Sequence, residues 1–262
     1  MPEPACLVLK CAGSTSERFV GEYETKNRGR HVVTHKDIVL AAVAAIVLSS
    51  AVVLAQGQES QPPLGFFVTS TTHSGNLGGL AGADAECQSL AAAVGAGNRT
   101  WRAYLSTHSS PTESAVNARD RIGNGPWFNA DGAKIAGSLA DLHGDIQRNT
   151  NVINVRTAVT ETGELVNGFG RPDPENTRNE HDILTGSDSH GRAFPSGLNR
   201  DHDFTCNNWT SDSDEDHAMI GHHDRLSGRN TSWNSSHTNP GCSLQGFIDS
   251  GGAGRFYCFA AD

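Results

Sequence analysis

The chain has 262 residues, of which 36% are hydrophobic and 6% aromatic, and it contains 29 glycines and a formal net charge of −9. Residues 1–55 carry six of the 20 basic and five of the 29 acidic residues, which leaves 14 basic against 24 acidic and a net charge of −10 for the remainder. Because nucleic acids and anionic lipids are bound mainly by neutralising their phosphates, this balance excludes nucleic-acid binding and limits membrane contact to the N-terminal segment.

The N-terminal part contains one apolar run, residues 38–55, behind an extension at 1–37. Val53 and Ala55 suit the −3 and −1 positions of a signal-peptide cleavage site. Eighteen uncharged residues also just span a bilayer, so the run is predicted to be either a cleaved signal or an uncleaved anchor. A translation start near Val33 would give a compact signal, and the extension would then be partly mis-assigned.

After a linker at 56–64, residues 65–262 are expected to form one α+β domain. Strands are predicted at 66–69 and 101–106, and a helix at 83–94 whose buried face includes Cys87. The other expected elements are a short helix at 113–122, a strand and turn at 128–132, a second helix marked by Leu139, Leu142 and Ile146, and a last strand at 256–259. The C-terminal half shows little helical periodicity, which predicts a mostly antiparallel sheet with long loops.

Four cysteines lie in this domain, namely Cys87, Cys206, Cys242 and Cys258. Their spacing is too wide for a CxxC zinc site. An even number of dispersed cysteines behind an export segment predicts two disulfides and an oxidising, extracytoplasmic location.

Five stretches, in this order, together resemble the endostatin module found at the carboxyl end of certain collagens and its bacterial relatives. They are GGLAGADAEC (78–87) followed by AVG (93–95), WRAYLS (101–106), TGSDSHGR (185–192), CNNWT (206–210), and Cys242 with the terminal YC (257–258). The resemblance covers nearly all of the predicted domain.

This resemblance implies a C-type-lectin-like fold with nested disulfides, Cys87–Cys258 and Cys206–Cys242. Zinc-binding members of the family use histidines at the start of the module, but residues 61–64 contain none, so that site is not expected. The family's binding of polyanionic glycans uses an arginine-rich face, which the charge of −10 disfavours.

The densest acidic run contains Asp212, Asp214 and Asp216 and lies between Cys206 and Cys242. Carboxylates this close repel one another, and a hard cation with six to eight oxygen ligands would relieve the repulsion. The run is therefore interpreted either as a calcium site, which would make calcium the cofactor, or as a solvated acidic loop.

Four further residues, His217, His222, His223 and Asp224, could bind a transition metal, although histidines so spaced on a loop are more typical of a surface. Among the tryptophans, Trp233 stands between polar residues and is the candidate for an exposed ligand contact.

The sequence contains neither an HExxH nor a GxSxG motif, so a non-enzymatic protein is predicted. We expect a secreted or cell-surface recognition or adhesion module that binds a carbohydrate or an extracellular protein through its long polar loops, with possible assistance from calcium. The alternatives are a secreted metal-dependent hydrolase using the 217–224 region and a structural component of the cell envelope or matrix. The oligomeric state is left open.

Overall fold

The computed structural model describes residues 60–146, 151–169, 178–195, 203–226 and 231–262. The chain divides into two units, Met1–Glu59 and Ser60–Asp262, and every described residue belongs to the second. The predicted extension, the apolar run and residues 56–59 of the linker lie outside the described residues. Within the described ranges, no helix has the length and apolar character needed to cross a bilayer.

The fold is α+β, as predicted, and its described part contains eight strands and four helices. The strands are β1 (Phe66–Val68), β2 (Trp101–Ala103), β3 (Trp127–Phe128), β4 (Lys134–Ala136), β5 (Asp182–Leu184), β6 (Met219–His222), β7 (His237–Thr238) and β8 (Gly252–Ala260). The helices are α1 (Gly79–Ala93), α2 (Leu139–His143), α3 (Cys206–Trp209) and α4 (Leu244–Ser250), and a 3-10 turn covers Ala118–Asp120.

The main sheet has the order β1-β8-β5-β6-β7, and β2 also pairs with β8. The β5–β8 pair is parallel and the other pairs are antiparallel, so the sheet is mixed. Strand β8 is central because its apolar sequence, GAGRFYCFA, is buried along almost its whole length. Strand β7 has a paired neighbour on one side only and forms the edge of the sheet.

Both predicted disulfides are confirmed. Cys87 pairs with Cys258 and ties α1 to β8, while Cys206 pairs with Cys242 and ties α3 to the segment before α4. All four residues are completely buried. Covalent ties across long loops matter here because the core is lean in aromatic and aliphatic residues.

The helices differ from expectation in number and in length. Helix α1 begins at Gly79 rather than residue 83, and the helix expected at 113–122 is reduced to the 3-10 turn. Helix α2 ends at His143 because Gly144 adopts φ +67°, and the predicted helical residue Ile146 lies beyond the end with 90% of its surface exposed. Helices α3 and α4 were not predicted, so the described part has four helices where the sequence predicted two and a short third. The C-type-lectin-like topology stays a prediction.

Candidate metal centre

Strands β5 and β6 bring two polar residues face to face. Their antiparallel register pairs Asp182 with His222, and residues opposite each other in such a pair lie on the same face of the sheet. His181 comes immediately before β5, and its ring stacks on that of His222 with centroids 4.1 Å apart. We call these three residues the His–Asp cluster.

The cluster converges on one carboxylate oxygen. Asp182 Oδ1 lies 3.2 Å from His181 Nε2 and 3.3 Å from His222 Nε2. One ligand atom from each of the three residues lies within 4.8 Å of the others, which is close enough to share one cation.

This site is closed off from water. The exposed fractions of His181, Asp182 and His222 are 4%, 3% and 2%. In the described part of the chain, both oxygens of Asp182 and Nε2 of His222 are buried without a hydrogen-bond partner, and Asp182 Oδ1 is contacted there only as an ion pair by the neighbouring imidazoles. Buried polar atoms are normally satisfied by hydrogen bonds, so this group of atoms is a candidate site for a cation.

A second layer of groups orients the two imidazoles. His181 Nδ1 lies 3.2 Å from Asp224 Oδ1, and His222 Nδ1 lies 3.2 Å from Ser236 Oγ. These contacts occupy the Nδ1 side of each ring, so the Nε2 atoms of both imidazoles face Asp182. Asp224 is itself fixed, since its side chain accepts hydrogen bonds from the backbone N–H groups of Phe169 and Leu226.

The electrostatics of the cluster favour a positive charge at its centre. Burial alone lowers the pKa of His181, but the carboxylates of Asp182 and Asp224 outweigh it and raise that pKa to about 9. Burial raises the pKa of Asp182, and the nearby imidazoles more than reverse this and lower it. A proton on His181 thus offsets the Asp182 charge in metal-free protein, and a divalent cation would take that proton's place.

A third imidazole approaches from the edge strand β7. His237 Nε2 lies 3.7 Å from Asp182 Oδ1, the same oxygen that the other two imidazoles face. Its ring stands nearly perpendicular to that of His222, with centroids 5.0 Å apart. The side chain is 44% exposed, so it is the point at which the site meets solvent.

The acidic loop predicted to bind calcium is not assembled as a site. Asp212 and Asp214 are exposed, and Asp214 Oδ1 accepts a hydrogen bond from the backbone N–H of Ser243. Among the described residues, one group of His, Cys, Asp and Glu has converging ligand atoms, and it contains neither of them nor Asp216. Calcium at this loop stays a prediction, and the structure moves the metal hypothesis to the His–Asp cluster.

Of the histidine-rich region predicted to bind a transition metal, two residues take part. His222 belongs to the cluster, and Asp224 supports His181 from behind. His217 Nδ1 instead contacts the Asn239 carbonyl oxygen. His223 points towards the Asn167 carbonyl oxygen, and burial lowers its pKa to about 4.

Trp233 is not the exposed side chain that its polar neighbours suggested. It is 4% exposed, and its ring packs against Tyr104 and Tyr257 at centroid distances of 5.0 and 5.3 Å. It does line a polar pocket of about 390 Å³ together with His143, Arg225 and other residues. A ligand contact at Trp233 stays a prediction, limited to the edge that this pocket reaches.

The sequence matches no family model and no curated protein. The resemblance to the endostatin module therefore rests on the five stretches quoted above and on the disulfide pairing that it implied.

Proposed function

We propose that this domain is an extracytoplasmic recognition module that binds one divalent transition-metal ion of the zinc class at the His–Asp cluster. The observation that carries the metal is Asp182, whose carboxylate is buried, lacks a hydrogen-bond partner in the described part of the chain, and is faced by two Nε2 atoms. Imidazole nitrogen with one carboxylate is a zinc-type ligand set, whereas calcium takes six to eight oxygens.

The metal would act as a cross-link inside the sheet. It would join β5 to β6 at the end of the sheet where Asp182 pairs with His222. Binding to the folded state alone raises stability by mass action, as in other small domains with lean cores. The two disulfides indicate an oxidising compartment, and a bound metal would add to their stabilisation of the folded domain there.

The recognition role is supported by the polar pocket beside Trp233. Its volume is about 390 Å³, and its lining includes hydroxyl, amide and guanidinium groups of Ser189, Asn151 and Arg225. Groups of this kind fix the orientation of a polar ligand. A carbohydrate or a protein loop is the ligand class we propose, and a glycan array and a pull-down with the oxidised protein test the two.

The metal proposal is tested by titrating the purified, oxidised full chain with Zn²⁺ and with Ca²⁺ in a calorimeter. We expect one Zn²⁺ per chain and no Ca²⁺ at this site. Asp182→Asn keeps the shape of the side chain and removes its charge, so it should weaken zinc binding at least ~100-fold, more than the loss typical of an outer-layer partner.

Asp145→Asn is the matched control, because Asp145 is also contacted by a histidine, His190, at 3.3 Å but lies in an exposed ion pair outside the cluster. It should bind zinc as the wild-type protein does. If the wild-type chain takes up no zinc, or if Asp182→Asn binds it equally well, the cluster is a buried histidine–aspartate ion pair and the metal proposal is wrong.

A metal-dependent hydrolase is the second candidate, and one observation favours it. Three protein ligands with a fourth, solvent-facing position are typical of catalytic zinc sites. This candidate requires hydrolysis of an ester, peptide or glycoside substrate by the zinc-loaded chain and loss of that activity in His222→Ala. Zinc-loaded protein that is inert towards all three substrate classes would eliminate it.

A further inference from the structure

His237 lies outside the group of three whose ligand atoms are within 4.8 Å of one another, but its imidazole faces the same oxygen of Asp182. Its Nδ1 lies 3.1 Å from the carbonyl oxygen of Thr238, which is an acceptor only. The Nδ1 proton is therefore donated to that oxygen, and the lone pair lies on Nε2, the atom nearest Asp182. Asp224 occupies the Nδ1 side of His181 and Ser236 that of His222, so all three imidazoles present Nε2 to the same Asp182 oxygen.

The sheet register explains why a residue so far along the chain reaches the site. His237 pairs with Ile220 on β6, and β6 in turn places His222 opposite Asp182 on β5. His237 is thus a diagonal neighbour of His222 on the next strand, which is within reach of a long side chain. The centre is spread over three adjacent strands, and β7 is the outermost of them.

We propose that His237 is the fourth ligand, so that the metal is held by three Nε2 atoms and one carboxylate oxygen and fastens the edge strand β7 to β5. This inference rests on the proposed metal binding at the His–Asp cluster and goes beyond it in fixing the coordination set and its consequence. Four protein ligands make a closed, tetrahedral site of the structural kind. The fourth position is then filled by the protein and not by a substrate.

His237 also differs from the other three ligands in a way that assigns it a role. The other three are at least 95% buried as side chains, whereas His237 is 44% exposed. The metal must enter and leave past His237, because the remaining ligands are closed in by the sheet. Ligation of His237 would accordingly fasten β7, a strand of two residues that pairs with β6 alone among the described strands.

The test uses Co²⁺ in the full oxidised chain, because tetrahedral cobalt absorbs visible light more strongly than five- or six-coordinate cobalt. The wild-type chain should show the intense tetrahedral bands. His237→Ala should still bind cobalt through the His–Asp cluster, with roughly twofold or greater loss of absorbance per bound ion and an affinity lower by roughly 10- to 100-fold. His237→Cys should restore the intensity and add a thiolate-to-cobalt charge-transfer band, which appears only if residue 237 touches the metal.

The control is the corresponding pair of variants at His190, a histidine with a 50% exposed side chain and also 3.3 Å from an aspartate oxygen. His190→Ala and His190→Cys should leave the cobalt spectrum unchanged. Hydrogen exchange gives a second measurement, since the N–H groups of Ser236 and Asn239 bond to β6 carbonyls and to its approach at Ala218. Metal should slow their exchange in the wild-type chain but not in His237→Ala.

The outcomes separate the two proposals. A His237→Ala spectrum and affinity equal to wild type, with no charge-transfer band in His237→Cys, would overturn the role of His237 while leaving metal binding intact. A wild-type chain that binds no cobalt overturns both. Weaker cobalt absorbance and affinity in His237→Ala, together with the new band in His237→Cys, support both.

Discussion

His143 is a buried histidine whose neutral form the folded state favours. Its Nδ1 lies 2.9 Å from the Leu139 carbonyl oxygen and its Nε2 lies 2.7 Å from Tyr104 Oη. Nδ1 donates to the carbonyl, so Nε2 accepts the tyrosine proton, and Tyr104 Oη in turn accepts from Asn234. A second proton on the imidazole would turn Nε2 into a donor and oppose this chain of hydrogen bonds.

Burial is the main cause of the shift and lowers the pKa of His143 to about 4 from the usual 6.5 of a histidine. Between these two values the unfolded chain binds a proton that the folded chain does not. Stability from this residue is therefore complete above pH 6.5 and is lost as the pH falls towards 4. With 1.36 kcal/mol per pKa unit, the loss is about 2 kcal/mol at pH 5 and about 3 kcal/mol at pH 4.

The assay is urea unfolding of the wild-type chain and of His143→Gln at intervals from pH 7.5 to pH 4. Subtracting the two curves removes every other titrating group, including Asp145 and His190 near by. The difference in unfolding free energy should shrink by the amounts given above as the pH falls. A difference that is constant over this range, or that grows on acidification, would show that His143 is solvated and would refute the reasoning.

Three further outcomes are expected. Replacing Cys87 and Cys258 by alanine should lower the unfolding free energy by about 5 kcal/mol, because this disulfide closes a loop of 171 residues. Replacing Cys206 and Cys242 should lower it by about 4 kcal/mol, because that loop has 36 residues. Equal or reversed losses in urea unfolding would contradict the loop-entropy account. Asp224→Asn should weaken zinc binding roughly 10- to 100-fold in a competition assay with a chromophoric chelator, and unchanged affinity would mean that the outer carboxylate does not orient its histidine. Zinc at 100 times its dissociation constant should add about 2.7 kcal/mol to the unfolding free energy, reversibly with chelator, and no change on chelation would contradict binding to the folded state.

The parts of the fold that sequence predicted are those encoded locally or covalently. The 3.6-residue spacing around Cys87 identified α1, and the apolar run near the C-terminus identified part of β8. Helix α4 was missed because its seven residues hold a single buried side chain, Phe247, too few to produce a periodic pattern. The helix expected at 113–122 does not form over its full length for a different reason. The backbone N–H of Ala118 bonds to Ser106 Oγ, and the Arg119 side chain bonds to the carbonyl oxygen of His190, so contacts with distant loops replace helical ones.

The metal centre could not be found from spacing because no local motif encodes it. Its ligands are separated by about 40 and 15 residues, and strand pairing alone brings them together. Adjacent residues in a strand point to opposite faces, so a sequence reading would not place His181 and Asp182 at one site. They converge because His181 lies just outside β5, where the alternation no longer holds. The sequence does contain one indication of the site. His181 and Asp182 directly precede the apolar pair that forms the rest of β5, and burying two ionisable groups beside a buried strand costs free energy.

The position of the cluster explains why the fold would keep such a costly arrangement. Strands β5, β6 and β7 are two to four residues long, and the hydrophobic cluster around β8 receives few side chains from them. Main-chain pairing between strands this short gives little stability by itself. The disulfide between Cys206 and Cys242 holds the chain on both flanks of β6 and β7 but does not reach β5. A metal bound by Asp182, His222 and His237 would supply that missing link, in place of the ion pair that Asp182 makes with protonated His181 in the metal-free protein. Metal removal should therefore loosen the β5–β7 end of the sheet before it affects β1, β2 and β8, which the other disulfide and most of the aromatic core hold together.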